Sequence, residues 1–185
     1  MGSKILIYGA GAIGSIFAGK LAKYGNDVTV LARGDRFQEI KSKGIILCNA
    51  LTNKEETISV KCIDELLVED IYEYVIVVVQ NHQIDQILPI LSRNKSKNIV
   101  FVVNNPLGYS KYISAVGKER VMLGFPSAGG ERKEGVVSYF IGTGIAKVMQ
   151  TTTFANEIVY VQMDKLAREC GLVQDVAKTF VILLY

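Results

Sequence analysis

A chain of 185 residues is long enough for one domain with a substantial buried core, and its 49% hydrophobic and 21% charged residues are not the composition of a disordered segment. Its 21 Lys and Arg against 18 Asp and Glu leave a net charge of only +3, scattered along the sequence, which argues against a nucleic-acid or membrane-surface partner. No apolar run approaches the ~20 residues of a membrane span.

The first predicted element is a strand, Ile5-Leu6-Ile7-Tyr8, running into Gly9-x-Gly11-x-x-Gly14 and then a helix with Ile13, Ile16, Phe17, Leu21 and Tyr24 on one face. Gly25 stands at its C-terminal cap, and Val28 to Leu31 supplies the next strand, completing one βαβ unit. In a dinucleotide site Gly9 would make the turn, Gly11 would let the backbone approach a diphosphate, and Gly14 would let helix pack on strand. The diphosphate would sit on the free N–H groups and positive end of the helix. The plainer alternative is a glycine-rich turn with no ligand.

Sites for NAD place an Asp or Glu about 20 residues beyond the glycines, on the ribose 2′-hydroxyl. Ala32-Arg33-Gly34 stands there instead. A guanidinium grips a 2′-phosphate that a carboxylate would repel, so NADP(H) is the expected cofactor. The competing reading makes Arg33 and Arg36 solvated loop charges.

Arg36 to Lys43 reads as a short helix closed by Gly44; Ile45 to Cys48 and Thr57 to Cys62 read as two strands around the polar turn Thr52 to Glu56. Asp64 to Asp70 has a helical, acidic pattern. Tyr74 to Val79 lacks polar alternation, as in a strand buried on both faces of a parallel sheet. Gln80 to Gln83 follows, then a helix face of Ile84, Ile87, Leu88 and Leu91, with the lone His82 in its first turn. Ile99 to Val103 is another buried strand, ending in Asn104-Asn105-Pro106-Leu107-Gly108. A helix from Ser110 to Gly117, a strand Val121 to Leu123 and a loop Phe125 to Gly130 come next. Val136 to Ile141 and Ile145 to Met149 read as an antiparallel hairpin about Gly142-Thr143-Gly144, and a last helix runs from Asn156 to Cys170.

Strands alternating with helices indicate an α/β fold, a Rossmann-type doubly wound parallel sheet with late antiparallel strands, over one domain spanning 1–185. Its strand ends gather the Gly9 loop, Arg33, Gln80 to Gln83, Asn104 to Gly108 and Phe125 to Gly130 where a ligand would bind. Cys48, Cys62 and Cys170 are far apart, without a CxxC or a paired histidine, and read as reduced thiols of a cytoplasmic protein with no metal site. A first strand starting at about residue 4 leaves no room for a signal peptide.

On three stretches, KILIYGAGAIGSIFAGKLAKYGNDVTVLARG, Val79-Gln80-Asn81-His82-Gln83 and VVNNPLG, the sequence resembles the N-terminal part of the ketopantoate reductase family. The resemblance implies NADPH-dependent reduction of 2-dehydropantoate, a small 2-oxo acid, to pantoate in pantothenate and coenzyme A biosynthesis. It implies a diphosphate cradle of Gly9, Ala10, Gly11, Ala12, Ile13 and Gly14, with Arg33 on the 2′-phosphate. Asn104 matches the family's asparagine near the nicotinamide, with Asn105 as fallback; a plain turn ending the strand is the alternative. Gln80 replaces a lysine the family commonly has there for cofactor binding, an uncharged substitute.

The family's proton donor is a lysine of a helical C-terminal domain that this sequence is expected to lack. Lys165 and Lys178 lack the family's catalytic context and are given no role. The segment from about 156 to 185 is read as leading towards that domain, and its apolar end, Phe180 to Tyr185, implies either truncation, the favoured reading, or a homodimer contact. Whether the chain turns over is left open. The alternatives are a non-catalytic NADP(H)-binding module and a truncated dehydrogenase of another 2-oxo acid.

Overall fold

The computed structural model describes residues 2–103, 105, 108–126, 128–141 and 180–181. In chain order it contains β1 (Lys4–Tyr8), α1 (Ala12–Lys23), β2 (Asp27–Leu31), α2 (Gly34–Lys43), β3 (Ile45–Asn49), β4 (Glu55–Ile58), β5 (Lys61–Ile63) and β6 (Tyr74–Val77). A single 3-10 turn (Asn81–Gln83) leads into α3 (Ile84–Arg93), β7 (Asn98–Phe101), α4 (Ser110–Val116), β8 (Val121–Leu123), β9 (Phe125–Pro126), β10 (Ala128–Lys133) and β11 (Val136–Ile141). The pair Phe180–Val181, β12, lies antiparallel to β9.

Six strands form one sheet in the order β5-β2-β1-β6-β7-β8, with every neighbouring pair parallel. The chain builds outward from β1 through β2 to β5, then returns to the other side of β1 with β6. That reversal leaves a crevice at the carboxyl ends of β1 and β6, the position where open α/β sheets hold ligands. A second sheet, β10-β11-β3-β4, is mixed: β11 runs parallel to β3 and antiparallel to β10.

Alternation along β1 divides two apolar cores. Ile5 and Ile7 point to one with Val28, Val30, Ile45, Leu47, Val137 and Tyr139; Leu6 and Tyr8 point to the other with Ile84, Ile87, Leu88, Leu91, Phe101 and Tyr112. Each fully buried side chain of this size stabilises by roughly 1.5–3 kcal/mol. The predicted face of α3 is therefore the buried one.

The face assigned to α1 needs correction. Tyr24 is 41% exposed, whereas Ser15, Ala18 and Gly19 are buried. The cause is the second sheet: α1 lies between it and the parallel sheet, and a Cβ on Gly19 would stand 2.7 Å from Leu47 Cδ1. A helix covered from two sides has no single apolar stripe.

Three further readings change. The segment from Thr57 to Cys62 is two strands, β4 and β5, because the chain crosses from one sheet to the other at Ser59-Val60. Asp64 to Asp70 forms no helix: the Asp70 carboxylate accepts the Leu67 N–H at 2.9 Å, and the Leu67 carbonyl accepts the Asn94 side-chain amide at 2.9 Å. Such side-chain bonds divert the backbone from helical pairing. The antiparallel partner of Val136–Ile141 is Ala128–Lys133, much of it read as a loop, with the turn at Glu134-Gly135. The stretches Ile145–Met149 and Asn156–Cys170 lie outside the described residues, as do Lys165 and Lys178.

Candidate functional site

Gly9 follows β1 at φ +117°, and a Cβ there would lie 2.3 Å from the Val78 carbonyl oxygen of the neighbouring strand end. A Cβ on Gly14 would meet the Gly9 carbonyl oxygen at 1.9 Å. Both glycines are thus required by the chain's own packing. Gly11 differs: among the described residues its Cβ would meet no atom within 4 Å, so the room beside it is open. This is the distinction a dinucleotide loop makes between glycines that let the protein approach itself and one that lets it approach a diphosphate.

Helix α1 starts at Gly11 with no side-chain cap and no acidic residue in its first turn. Among the described residues the amides of Ala12, Ile13 and Gly14 therefore have no side-chain cap, and the first turn carries no carboxylate to offset the positive end of the helix dipole. These residues line a cavity of about 790 Å³ together with Gly9, Ala10, Gly11, Arg33, Arg36 and Gln80. The predicted diphosphate cradle, Arg33 and Gln80 are thus brought to one place.

Arg33 is exposed, directly before α2, and its Nη2 donates to the Tyr8 hydroxyl at 3.3 Å. Burial pushes the Tyr8 phenol above its usual pKa, with the Arg33 charge working against that rise. Gln80 ends the strand segment beyond β6, and its N–H donates to Gln83 Oε1 at 3.0 Å. That bond fixes the turn carrying His82, which is exposed and not among the cavity-lining residues.

Asn104 lies outside the described residues. The fallback, Asn105, donates its side-chain amide to the Gly108 carbonyl at 2.6 Å and to the Tyr112 hydroxyl at 3.1 Å. Those bonds close the turn after β7. Cys48 and Cys62 are free thiols, and burial pushes Cys62 above its usual pKa. Among the described residues no group of three or more His, Cys, Asp or Glu gathers, and no helix is long and apolar enough to cross a membrane.

Sequence reasoning missed two polar cavity residues, Gln86 and Arg132, whereas Gln83 and Ala128 lie in stretches it placed at the ligand-binding strand ends. Gln83 and Gln86 are three apart and so share a helical face, a signal available in the sequence. Arg132 reaches the cavity from β10, and Ala128-Gly129-Gly130 gives little sign of a strand.

Comparison with known proteins adds an independent line. The family model described as ketopantoate reductase PanE/ApbA matches residues 5–151. The 2-dehydropantoate 2-reductase of Pyrococcus horikoshii is 28% identical, the match covering 96% of this chain and 57% of that protein. A crystal structure of a probable 2-dehydropantoate 2-reductase from Bacillus subtilis has a TM-score of 0.63 at 26% identity, over 73% of this chain and 45% of that one. The ternary structure of D-mandelate dehydrogenase with NADH and anilino(oxo)acetate has a TM-score of 0.69 at 25% identity, over 91% and 55% of the two chains. The chain spans about half the length of the curated relatives it matches.

Proposed function

This chain belongs to the ketopantoate reductase PanE/ApbA family, NAD(P)-dependent oxidoreductases acting on small 2-oxo acids, and we propose that it forms the NADPH-binding part of an enzyme reducing 2-dehydropantoate to pantoate. The observation that carries the reading is the open space at Gly11 beside an uncapped helix start, with Arg33 in the same cavity. A bound NADPH supplies the hydride for the carbonyl carbon.

The chain's own residues bind and orient. The amides of Ala12, Ile13 and Gly14 take the diphosphate oxygens in place of a side-chain cap. Arg33 presents a planar, permanently charged fork to the 2′-phosphate, and the Tyr8 hydroxyl holds one arm of it. Gln80 offers a neutral amide at the rim, able to hydrogen-bond a phosphate or ribose without adding charge. Asn104 orients the cofactor and substrate. No residue of this chain is assigned the proton donor for the developing alkoxide.

A second reading has a specific support. The D-mandelate dehydrogenase structure holds NADH and anilino(oxo)acetate, so an NADH-dependent reductase of another 2-oxo acid is the alternative. Calorimetric titration of the 185-residue chain with NADPH and with NADH separates them. NADPH is expected to bind about tenfold to a hundredfold tighter, the worth of a charge-assisted hydrogen-bonded contact, and Arg33→Asp should abolish that preference. Equal affinities in the unaltered chain would favour the alternative; binding of neither would defeat both.

A further inference from the structure

Three residues beyond Arg33, a second arginine is arranged quite differently. The Arg36 side chain is only 9% exposed. Its Nε donates to the Ala10 carbonyl at 3.2 Å, its Nη2 to Ser15 Oγ at 3.0 Å, and its Nη1 to Glu39 Oε2 at 2.5 Å and to the Gly135 carbonyl at 3.4 Å. One guanidinium thus joins the glycine loop, α1, α2 and the turn between β10 and β11.

From these contacts we infer that Arg36 is a positioning residue for the dinucleotide, one that fixes the glycine loop in its diphosphate-accepting form without itself reading the cofactor's identity. The inference rests on the cofactor reading above. Ala10 C=O and Gly11 N–H belong to one planar trans peptide and point in opposite directions. Holding the carbonyl towards Arg36, where Ser15 Oγ also donates to it at 3.4 Å, fixes the direction of the Gly11 N–H. The loop amides are then aimed before any ligand arrives, and less ordering cost falls on binding.

The brace is itself held. Arg132 Nη1 stands 3.5 Å from the same Glu39 oxygen that accepts from Arg36. Gly135, at φ +86°, lies so close that a Cβ would stand 2.2 Å from Glu39 Oε1. A point-charge ammonium cannot span these acceptors as the fork of a guanidinium does.

The test is titration of the full chain and its Arg36→Lys variant with NADPH and with NADH, well below each protein's thermal midpoint. Arg36→Lys should weaken both dinucleotides by the same factor, about tenfold, leaving their ratio unchanged. Gly135→Ala, which displaces Glu39 but keeps Arg36, should weaken both by a smaller common factor. Weakening of NADPH alone would make Arg36 a reader of the 2′-phosphate and overturn the inference. Unchanged affinity for both dinucleotides in a variant of lowered thermal midpoint would also overturn it, leaving a purely structural arginine. If the unaltered chain binds neither dinucleotide, the cofactor reading itself fails, and this inference with it, before any variant is made.

Discussion

The two faces of the parallel sheet are closed by different chemistry. On the face carrying the glycine loop, charge pairs stand beside the carbonyl bonds of Arg36: Lys20 and Lys23 on Glu56, and Arg36 and Arg132 on Glu39. On the face of α3 and α4, Arg120 instead donates to the carbonyls of Leu91, Asn94, Ser96 and Val116 at 2.6–3.3 Å. Asn94 donates there to the carbonyls of Leu67 and Asp70, and the Lys111–Asp85 pair of that face lies out in solvent. Carbonyls do not titrate, so acid should loosen the loop-bearing face first.

The largest test of that contrast is Phe101→Ala. Phe101 is fully buried and stacks on Tyr112 at 4.3 Å between ring centroids. We expect a loss of about 3–5 kcal/mol in urea unfolding, the same at neutral and acid pH; a loss that shrinks in acid would tie this face to a titrating group. Arg120→Met should come next, at about 2–3 kcal/mol, because it strands several half-buried carbonyls. A loss too small to measure would mean that water replaces the guanidinium, and that this face is held by apolar packing alone.

Glu56→Gln is the smallest and the most diagnostic. Hydrogen bonds from Lys23 and then Lys20 hold the Glu56 carboxyl below its usual pKa. On Lys20 burial works the other way, but Tyr139 and Glu56 outweigh it and raise the ammonium's pKa. A carboxylate lowered by folding stabilises above its unfolded pKa of about 4.3, and that contribution disappears as pH falls through the folded value. At neutral pH the variant should therefore lose up to about 1 kcal/mol; in strong acid it should match the parent. A gap that persists in acid would place the effect in packing rather than charge.

What the sequence made legible followed from local chemistry. The spacing Gly9, Gly11, Gly14, the apolar run from Tyr74 and the face Ile84, Ile87, Leu88, Leu91 each report a neighbour within one βαβ unit, and each stands where expected. Three of the four misreadings share another origin. Tyr24, the split at Ser59-Val60 and the strand Ala128–Lys133 all depend on the second sheet, whose strands come from separated stretches of chain. Its strand β11 pairs Val136 with Ile46, and no local period announces such a partner. The same holds for the site: Arg33 is legible from its place after a strand, whereas the hydrogen bond from Arg36 to Gly135 is not.

β11 is the latest strand of the second sheet to be synthesised, and it sits between two others. The six parallel strands are all present once Leu123 has emerged from the ribosome, but Gly135, which is 99 residues from Arg36, has not. Contacts of that sequence separation form slowly and wait on the chain that supplies them. A nascent chain can therefore fold its parallel sheet before its glycine loop is braced. Competence to bind the dinucleotide would then mature after the sheet, making ligand affinity a later marker of correct folding than secondary structure.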